Sequence, residues 1–312
     1  DLWEHRTYQS AGTLSATVPA HGTVMYRVSA TDGSWWRQPP LTEFALDVPS
    51  AFAGVPGTVT PAGHPFPVNV TVVNRGLLPV LDGRVRLTEP AGWRVTPQGP
   101  AGKPVLRPGE SITARFLVAP PAAAPPGDYA LGARLAYSSP THTRIERSAG
   151  EDLTVPTPVP AGTSDLGDLT WARAANGLGP VERNTSVGSA PAGDGKPLTI
   201  NGHGYAKGLG THAEASILYY LDGKCAALNV DVGIDDERDP RPDPTQSTAI
   251  FEIWADGTKV ADSGLRTWQD DAVHLGADLS GASFLRIVTN GGPDGFRYDR
   301  GDWAAPVLSC AG

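Results

Sequence analysis

Two acidic runs late in the 312-residue chain carry the side chains best able to do chemistry. They are Asp235-Asp236-Glu237-Arg238-Asp239 and Asp294-Gly295-Phe296-Arg297-Tyr298-Asp299-Arg300-Gly301-Asp302. Carboxylates this close together can offer hard oxygen ligands to a cation, or can pair as acid and base, as Asp235 with Glu237 or Asp294 with Asp299. Taken alone, each run is also explained by ion pairing at a solvated loop. The first departs from an EF-hand loop as well, because Pro240 stands at the sixth position, where glycine is required. Cys225 and Cys310 are the only two cysteines and lie 85 positions apart. They read as a disulfide in an oxidising compartment, closing a long loop for about 3 to 5 kcal/mol, or as two buried thiols.

Other catalytic motifs fail on context. Gly208-Leu209-Gly210-Thr211-His212-Ala213 matches the letters of a dinucleotide fingerprint, but it precedes the strand-like run Ser216 to Leu221 where a helix N-terminus is needed to hold pyrophosphate. There is no G-x-S-x-G elbow, no H-E-x-x-H, and no zinc spacing of the cysteines.

The elements that must position these residues are strands. Gly 37 and Pro 30 punctuate short β-rich runs, and no long run keeps a 3.6-residue apolar period. A hydrophobic share of 40% supports packed cores, and the length suits two or three domains. A net charge of −8 without a basic stripe makes nucleic acid and anionic membranes poor partners. No apolar run approaches a membrane span, and the Asp1-Leu2-Trp3-Glu4 start has neither Met nor a signal peptide, which is expected of a processed or excised chain.

Three segments follow. Residues 1–38 hold a hairpin, Gly12 to Val18 and Thr23 to Val28 around Pro19-Ala20-His21-Gly22, too small to stand alone. Residues 42–155 alternate along Phe66, Val68, Val70 and Val72, then through Val85-Arg86-Leu87, Ile112 to Val118 and Tyr129 to Tyr137, which predicts an immunoglobulin-like sandwich of about seven strands. Residues 156–163, Pro156-Thr157-Pro158-Val159-Pro160-Ala161-Gly162-Thr163, read as a semi-rigid linker. Residues 164–312 repeat six-residue alternating runs and an Asp256-Gly257 hairpin turn, which predicts a jelly-roll sandwich.

Each segment resembles part of one enzyme class. Asp1-Leu2-Trp3 with Val18-Pro19-Ala20-His21-Gly22 resembles the last strands of the β-sandwich that follows the barrel in α-galactosidase-type glycoside hydrolases. Asn69 to Gly76, Gly92-Trp93 and Pro108-Gly109-Glu110 resemble the NEW3-type domain associated with those enzymes, usually a spacer. Six blocks in order resemble the NPCBM module, carbohydrate-binding module family 51: Asp168 to Trp171, Asn176 to Glu182, Tyr205 to Ala213, Asp231 to Glu237, Ala255 to Gly257 and Asp302 to Ala304.

That resemblance implies a secreted, calcium-stabilised β-sandwich that binds galactose-type sugars beside a catalytic barrel. Calcium is expected at Asp294, Asp299 and Asp302. A sugar presents hydroxyls that need charged or amide partners and a C–H face that packs on an aromatic ring. Trp171, Glu182, Lys207, His212, Asp235 and Trp303 supply that mixture. Both tryptophans are equally core candidates, His212 can simply bond backbone, and Lys207 can be a solvated charge. The expected function is targeting, without catalysis, of an α-galactosidase or β-L-arabinopyranosidase type hydrolase. The alternatives are a hydrolase using the paired carboxylates above, and an adhesin fragment with no live sugar site.

Overall fold

The computed structural model describes residues 23, 25–26, 40–141, 143–189, 191–237, 247–293 and 295–311. The hairpin expected within residues 1–38 lies outside them apart from Thr23, Met25 and Tyr26.

Alternation drives the first domain. Its strands are β1 (Thr42–Asp47), β2 (Phe66–Asn74), β3 (Val80–Thr88), β4 (Arg94–Pro97), β5 (Gly102–Leu106), β6 (Ser111–Ala119), β7 (Gly127–Ser138) and β8 (Arg144–Val155). They form two four-stranded sheets, β1-β2-β6-β4 and β5-β3-β7-β8, one strand more than the roughly seven expected. On β2 the side chains of Phe66, Val68, Val70 and Val72 all turn inward, facing Val85, Leu131, Leu135 and Tyr137 across the sandwich. Asn74 ends that row as a buried amide. Its Nδ2 donates to Leu78 O and Leu106 O, and its Oδ1 accepts from Gly76 N, so burial leaves no amide atom unsatisfied.

The second domain contains β9 (Gly162–Asp165), β10 (Arg173–Ala175), β11 (Glu182–Arg183), β12 (Leu198–Ile200), β13 (His203–Tyr205), β14 (Gly208–His212) and β15 (Ala215–Tyr220). It continues with β16 (Cys225–Ile234), β17 (Thr248–Ala255), β18 (Thr258–Thr267), β19 (Val273–Asp278), β20 (Phe284–Gly291) and β21 (Arg300–Cys310). One sheet runs β10-β15-β20-β17-β18. The other runs β11-β14-β21-β16-β19, with β9 also on β21, while β12 and β13 pair separately. Antiparallel pairing brings the end of β14, the start of β21 and the end of β16 to one edge, so His212 lies opposite Arg300 and Ile234 opposite Gly301. The functional loops leave from that edge.

The segment read as a linker is packed rather than free. Val159 is buried in the second core and donates its N–H to Tyr220 O, because an apolar side chain among prolines gains by leaving water. The loop before β2 joins this seam. Phe52, Val55 and Val59 pack on Leu218, Tyr220 and Phe284, with Phe52 edge-on to Phe284 at 5.0 Å.

Cys225 and Cys310 face each other across β16 and β21 and are joined by a disulfide. The bond closes a loop of 85 residues in the unfolded chain. Cys225→Ala together with Cys310→Ala is expected to lower the unfolding free energy by about 3 to 5 kcal/mol, read as a shift of the denaturant midpoint, with strand content retained.

Candidate functional site

The β14–β21–β16 edge is held by carboxylates that accept backbone N–H groups. Glu182, at the start of β11, is buried and takes Gly193 N on both oxygens at 2.9 and 2.8 Å. Asp235, just past β16, takes Thr199 N on Oδ2 at 3.1 Å and Glu237 N on Oδ1 at 2.6 Å. Asp299 Oδ1 takes Thr248 N at 2.9 Å. Asn176 Oδ1 accepts His212 N at 2.8 Å while its Nδ2 donates to Leu178 O and Pro180 O, tying the Asn176–Glu182 block to β14. Two glycines allow these loops to lie so close. A Cβ on Gly177 would sit 2.0 Å from Ala213 O, and one on Gly210 would sit 2.4 Å from Thr185 O.

Around His212 the polar side chains converge. Its Nδ1–H donates to Ala213 O at 2.7 Å, which leaves Nε2 as an acceptor without a partner among the described residues. Arg300, directly across the ladder, donates through Nη1 to Glu237 O. The Glu237 carboxylate receives Ser186 Oγ, the Lys196 N–H at 3.3 Å and the Lys196 ammonium at 3.1 Å. Burial works to raise the Glu237 carboxyl. The Ser186 and Lys196 bonds and the Lys196 and Arg300 charges outweigh it and hold the group below its ordinary range. The loop that delivers Arg300 also displays Phe296, which is 66% exposed.

Three expected site residues thus share one edge: Glu182, His212 and Asp235. Three do not. Lys207 lies five residues before His212, roughly 16 Å away along the strand, where it pairs with Asp168 at 2.7 Å. Trp171 is partly buried beneath the Arg183 guanidinium, 3.8 Å from its ring centre, which occupies the face a sugar would need. Trp303 is corrected from platform to core. It is 0% exposed, edge-on to Phe251 at 5.4 Å, with Nε1–H donating to Thr289 Oγ1, so neither ring face reaches solvent.

Of the three carboxylates expected at calcium, two lie among the described residues. Asp294 lies outside the described residues, Asp299 is directed at Thr248, and Asp302 is directed at Asp235. No three His, Cys, Asp or Glu side chains among the described residues gather as a metal site. Asp302 is wholly buried, with the Asp235 carboxyl and the Thr199 N–H as its polar neighbours. Burial, then the Asp235 charge, push its carboxyl well above the usual range. The paired-carboxylate hydrolase fares no better. Asp235 binds the Glu237 backbone instead of facing the Glu237 carboxylate across a gap.

Sequence reasoning missed Arg300, Ser186, Lys196 and Phe296. Arg300 stood in the second acidic run and was legible only as a counter-ion there. Phe296 had a signal, a large apolar residue among Gly295, Arg297 and carboxylates.

Comparison with known proteins agrees with this layout. Residues 162–309 match the NPCBM/NEW2 domain, residues 60–138 the NPCBM-associated NEW3 domain of alpha-galactosidase, and residues 1–28 the alpha galactosidase C-terminal beta sandwich domain. A Renibacterium salmoninarum protein named as an endo-alpha-N-acetylgalactosaminidase is 32% identical over 232 residues, 73% of this chain. The chain spans 15% of that relative's length. Among solved structures, the CBM51 of a Clostridium perfringens family 95 glycoside hydrolase, in complex with methyl-galactose, is 30% identical with a TM-score of 0.41, covering 47% of this chain and 99% of that one. The tandem CBM51 modules of a Streptococcus pneumoniae family 98 glycoside hydrolase are 15% identical with a TM-score of 0.42, covering 81% of this chain and 83% of that one.

Burial lowers the His212 value first, with the Arg300 charge acting the same way and the Ala213 carbonyl opposing both. A histidine favoured neutral in the fold contributes stability that is complete above its unfolded value of about 6.5 and is lost as pH falls from there toward the depressed folded value. Thermal midpoints measured from pH 7.5 down to 5 should therefore drop, and His212→Gln should flatten that slope.

Proposed function

We propose that this chain, whose C-terminal domain belongs to the NPCBM/NEW2 domain family, holds a secreted galactoside-directed glycoside hydrolase on galactose-containing glycans. The domain is a carbohydrate-binding module, and the chain is an accessory, non-catalytic region. The α-galactosidase or arabinopyranosidase identity of the attached enzyme, the galactose preference and secretion are proposals. The matches to alpha-galactosidase domains support the first two, and the disulfide supports the third. No helix among the described residues is long and apolar enough to cross a membrane.

One observation carries the sugar site. His212 lies across the ladder from Arg300, Arg300 and Lys196 meet at Glu237, and the loop leading into Arg300 carries exposed Phe296, so hydroxyl partners and an apolar side chain leave the same strand end. Glu182 and Asp235 act beneath them by fixing backbone. The mechanism is local enrichment: a weak sugar contact turns substrate encounter by the attached enzyme into an intramolecular event.

Isothermal titration of the full chain with methyl galactoside is expected to show saturable binding. Phe296→Ala should weaken it on the order of tenfold with an unchanged thermal midpoint, since that ring is exposed and adds little to folding. Full affinity in Phe296→Ala and in Arg300→Ala alike would move the site elsewhere. Turnover of a p-nitrophenyl galactoside by a clean sample would overturn the non-catalytic reading.

Calcium is proposed as a structural ion; Asp302 and Asp235, whose buried carboxyls lie side by side, are the described residues that would hold it and supply hard oxygen ligands. Added calcium should raise the melting temperature and a chelator should reverse the rise. A midpoint indifferent to both would remove the ion from the proposal.

A further inference from the structure

We infer that the outer face of the first sandwich is a second binding site, for a saccharide bearing sulfate or carboxylate groups. That the occupant is a saccharide rests on the carbohydrate-binding reading above, whereas the anionic requirement rests on the charges of this face alone.

The charge is unevenly distributed along the chain. Residues 42–155 hold ten Lys and Arg against nine Asp and Glu, while the whole chain holds 25 against 33. Within this domain, Arg75, Arg107 and Arg144 each have a glutamate: Glu43 at 2.8 Å, Glu110 at 3.6 Å and Glu146 at 3.4 Å. Arg84, Arg86 and Arg134 have no ion pair among the described residues, and all three are exposed. Strand alternation puts them together. Val85 turns into the core, so Arg84 and Arg86 face outward on β3, and Arg134 on β7 is the direct cross-strand partner of Arg86. Like charges placed opposite one another destabilise a sheet. Arg94, Arg115 and Arg147 also lack an ion pair among the described residues, but only Arg86 and Arg134 stand directly opposite one another.

Arg84 and Arg86 also border a hollow. The register of β3 slips between Leu81 and Arg84, and β5 runs beside it with Lys103 opposite Gly83. Between them opens a cleft of about 400 Å³ bordered by Asp82, Arg84, Arg86 and Lys103. That is within the range of small-ligand sites. Its floor is backbone, since a Cβ on Gly102 would lie 2.4 Å from Gly83 O and 3.4 Å from Arg84 Cγ. Lys103 is already held by Glu110 at 2.9 Å, which leaves the two arginines as the free cations of the cleft. Planar guanidinium groups bind sulfate and carboxylate oxygens through two parallel N–H bonds, a match that a neutral sugar lacks. A polyphosphate chain fits poorly, because the rest of the molecule is acidic and would repel its extension beyond the cleft.

The test is isothermal titration of the full chain with a sulfated dextran oligosaccharide, its unsulfated parent and inorganic sulfate, with methyl galactoside titrated separately. The sulfated oligosaccharide should bind saturably, weaken as salt is raised, and lose at least tenfold in Arg84→Gln/Arg86→Gln, while methyl galactoside is unaffected. Arg134→Gln should weaken the same probe and hold or raise the melting temperature, because it relieves the opposed charge. Binding that survives the double substitution, no binding at all, or equal affinity for inorganic sulfate alone would overturn the inference. If methyl galactoside fails to bind while the arginine-dependent binding persists, the second-domain site fails and this one stands.

Discussion

The loops at the β14–β21–β16 edge keep their shape because buried carboxylates accept their backbone amides. An irregular loop cannot satisfy its own N–H groups, and leaving one buried without a partner costs more than a hydrogen bond returns. Glu182, Asp235, Glu237 and Asp299 each take at least one such group, and Asn176 does the same with an uncharged oxygen. The geometry available to a ligand is thus a by-product of loop construction. His212 and Arg300 are placed by their pairing in the sheet, and Phe296 is carried out on a loop whose base is tied.

This explains why acidic residues in the sequence attract functional readings they do not fulfil. A carboxylate that clasps a loop and one that binds a ligand have the same letter and the same neighbours. Only the partner atom differs, and that atom is brought from far along the chain: Thr199 for Asp235, Thr248 for Asp299. Strand content, in contrast, is a local property. The inward row Phe66, Val68, Val70 and Val72 is written in alternate positions, and both sandwiches were legible for that reason. Trp303 marks the boundary between the two cases. Its strand could be inferred, but its depth depends on Phe251 and Thr289 from other strands. Arg300 was hidden by the opposite effect, since its sequence neighbours are acids while its working partners are His212 and Glu237.

The first sandwich obeys the same economy with less polar architecture. One amide, Asn74, closes its buried row, and some of its surface charges are paired, as Arg75 with Glu43 and Arg144 with Glu146. On the face carrying Arg84, Arg86 and Arg134, the opposed charges of Arg86 and Arg134 have no ion pair among the described residues.

The proline-rich segment reads in the sequence as a semi-rigid linker between two units. With Val159 buried and Phe52 packed on Phe284, that segment and the loop before β2 lie against the second sandwich instead of hanging free. A rigid arm has a bearing as well as a span. If the proposed sugar edge is held in this way, it has a set direction from the first domain, and a glycan would have to lie along that direction to be bound. Selection among substrates would then come partly from how the polysaccharide bends, a property that neither binding surface senses by itself.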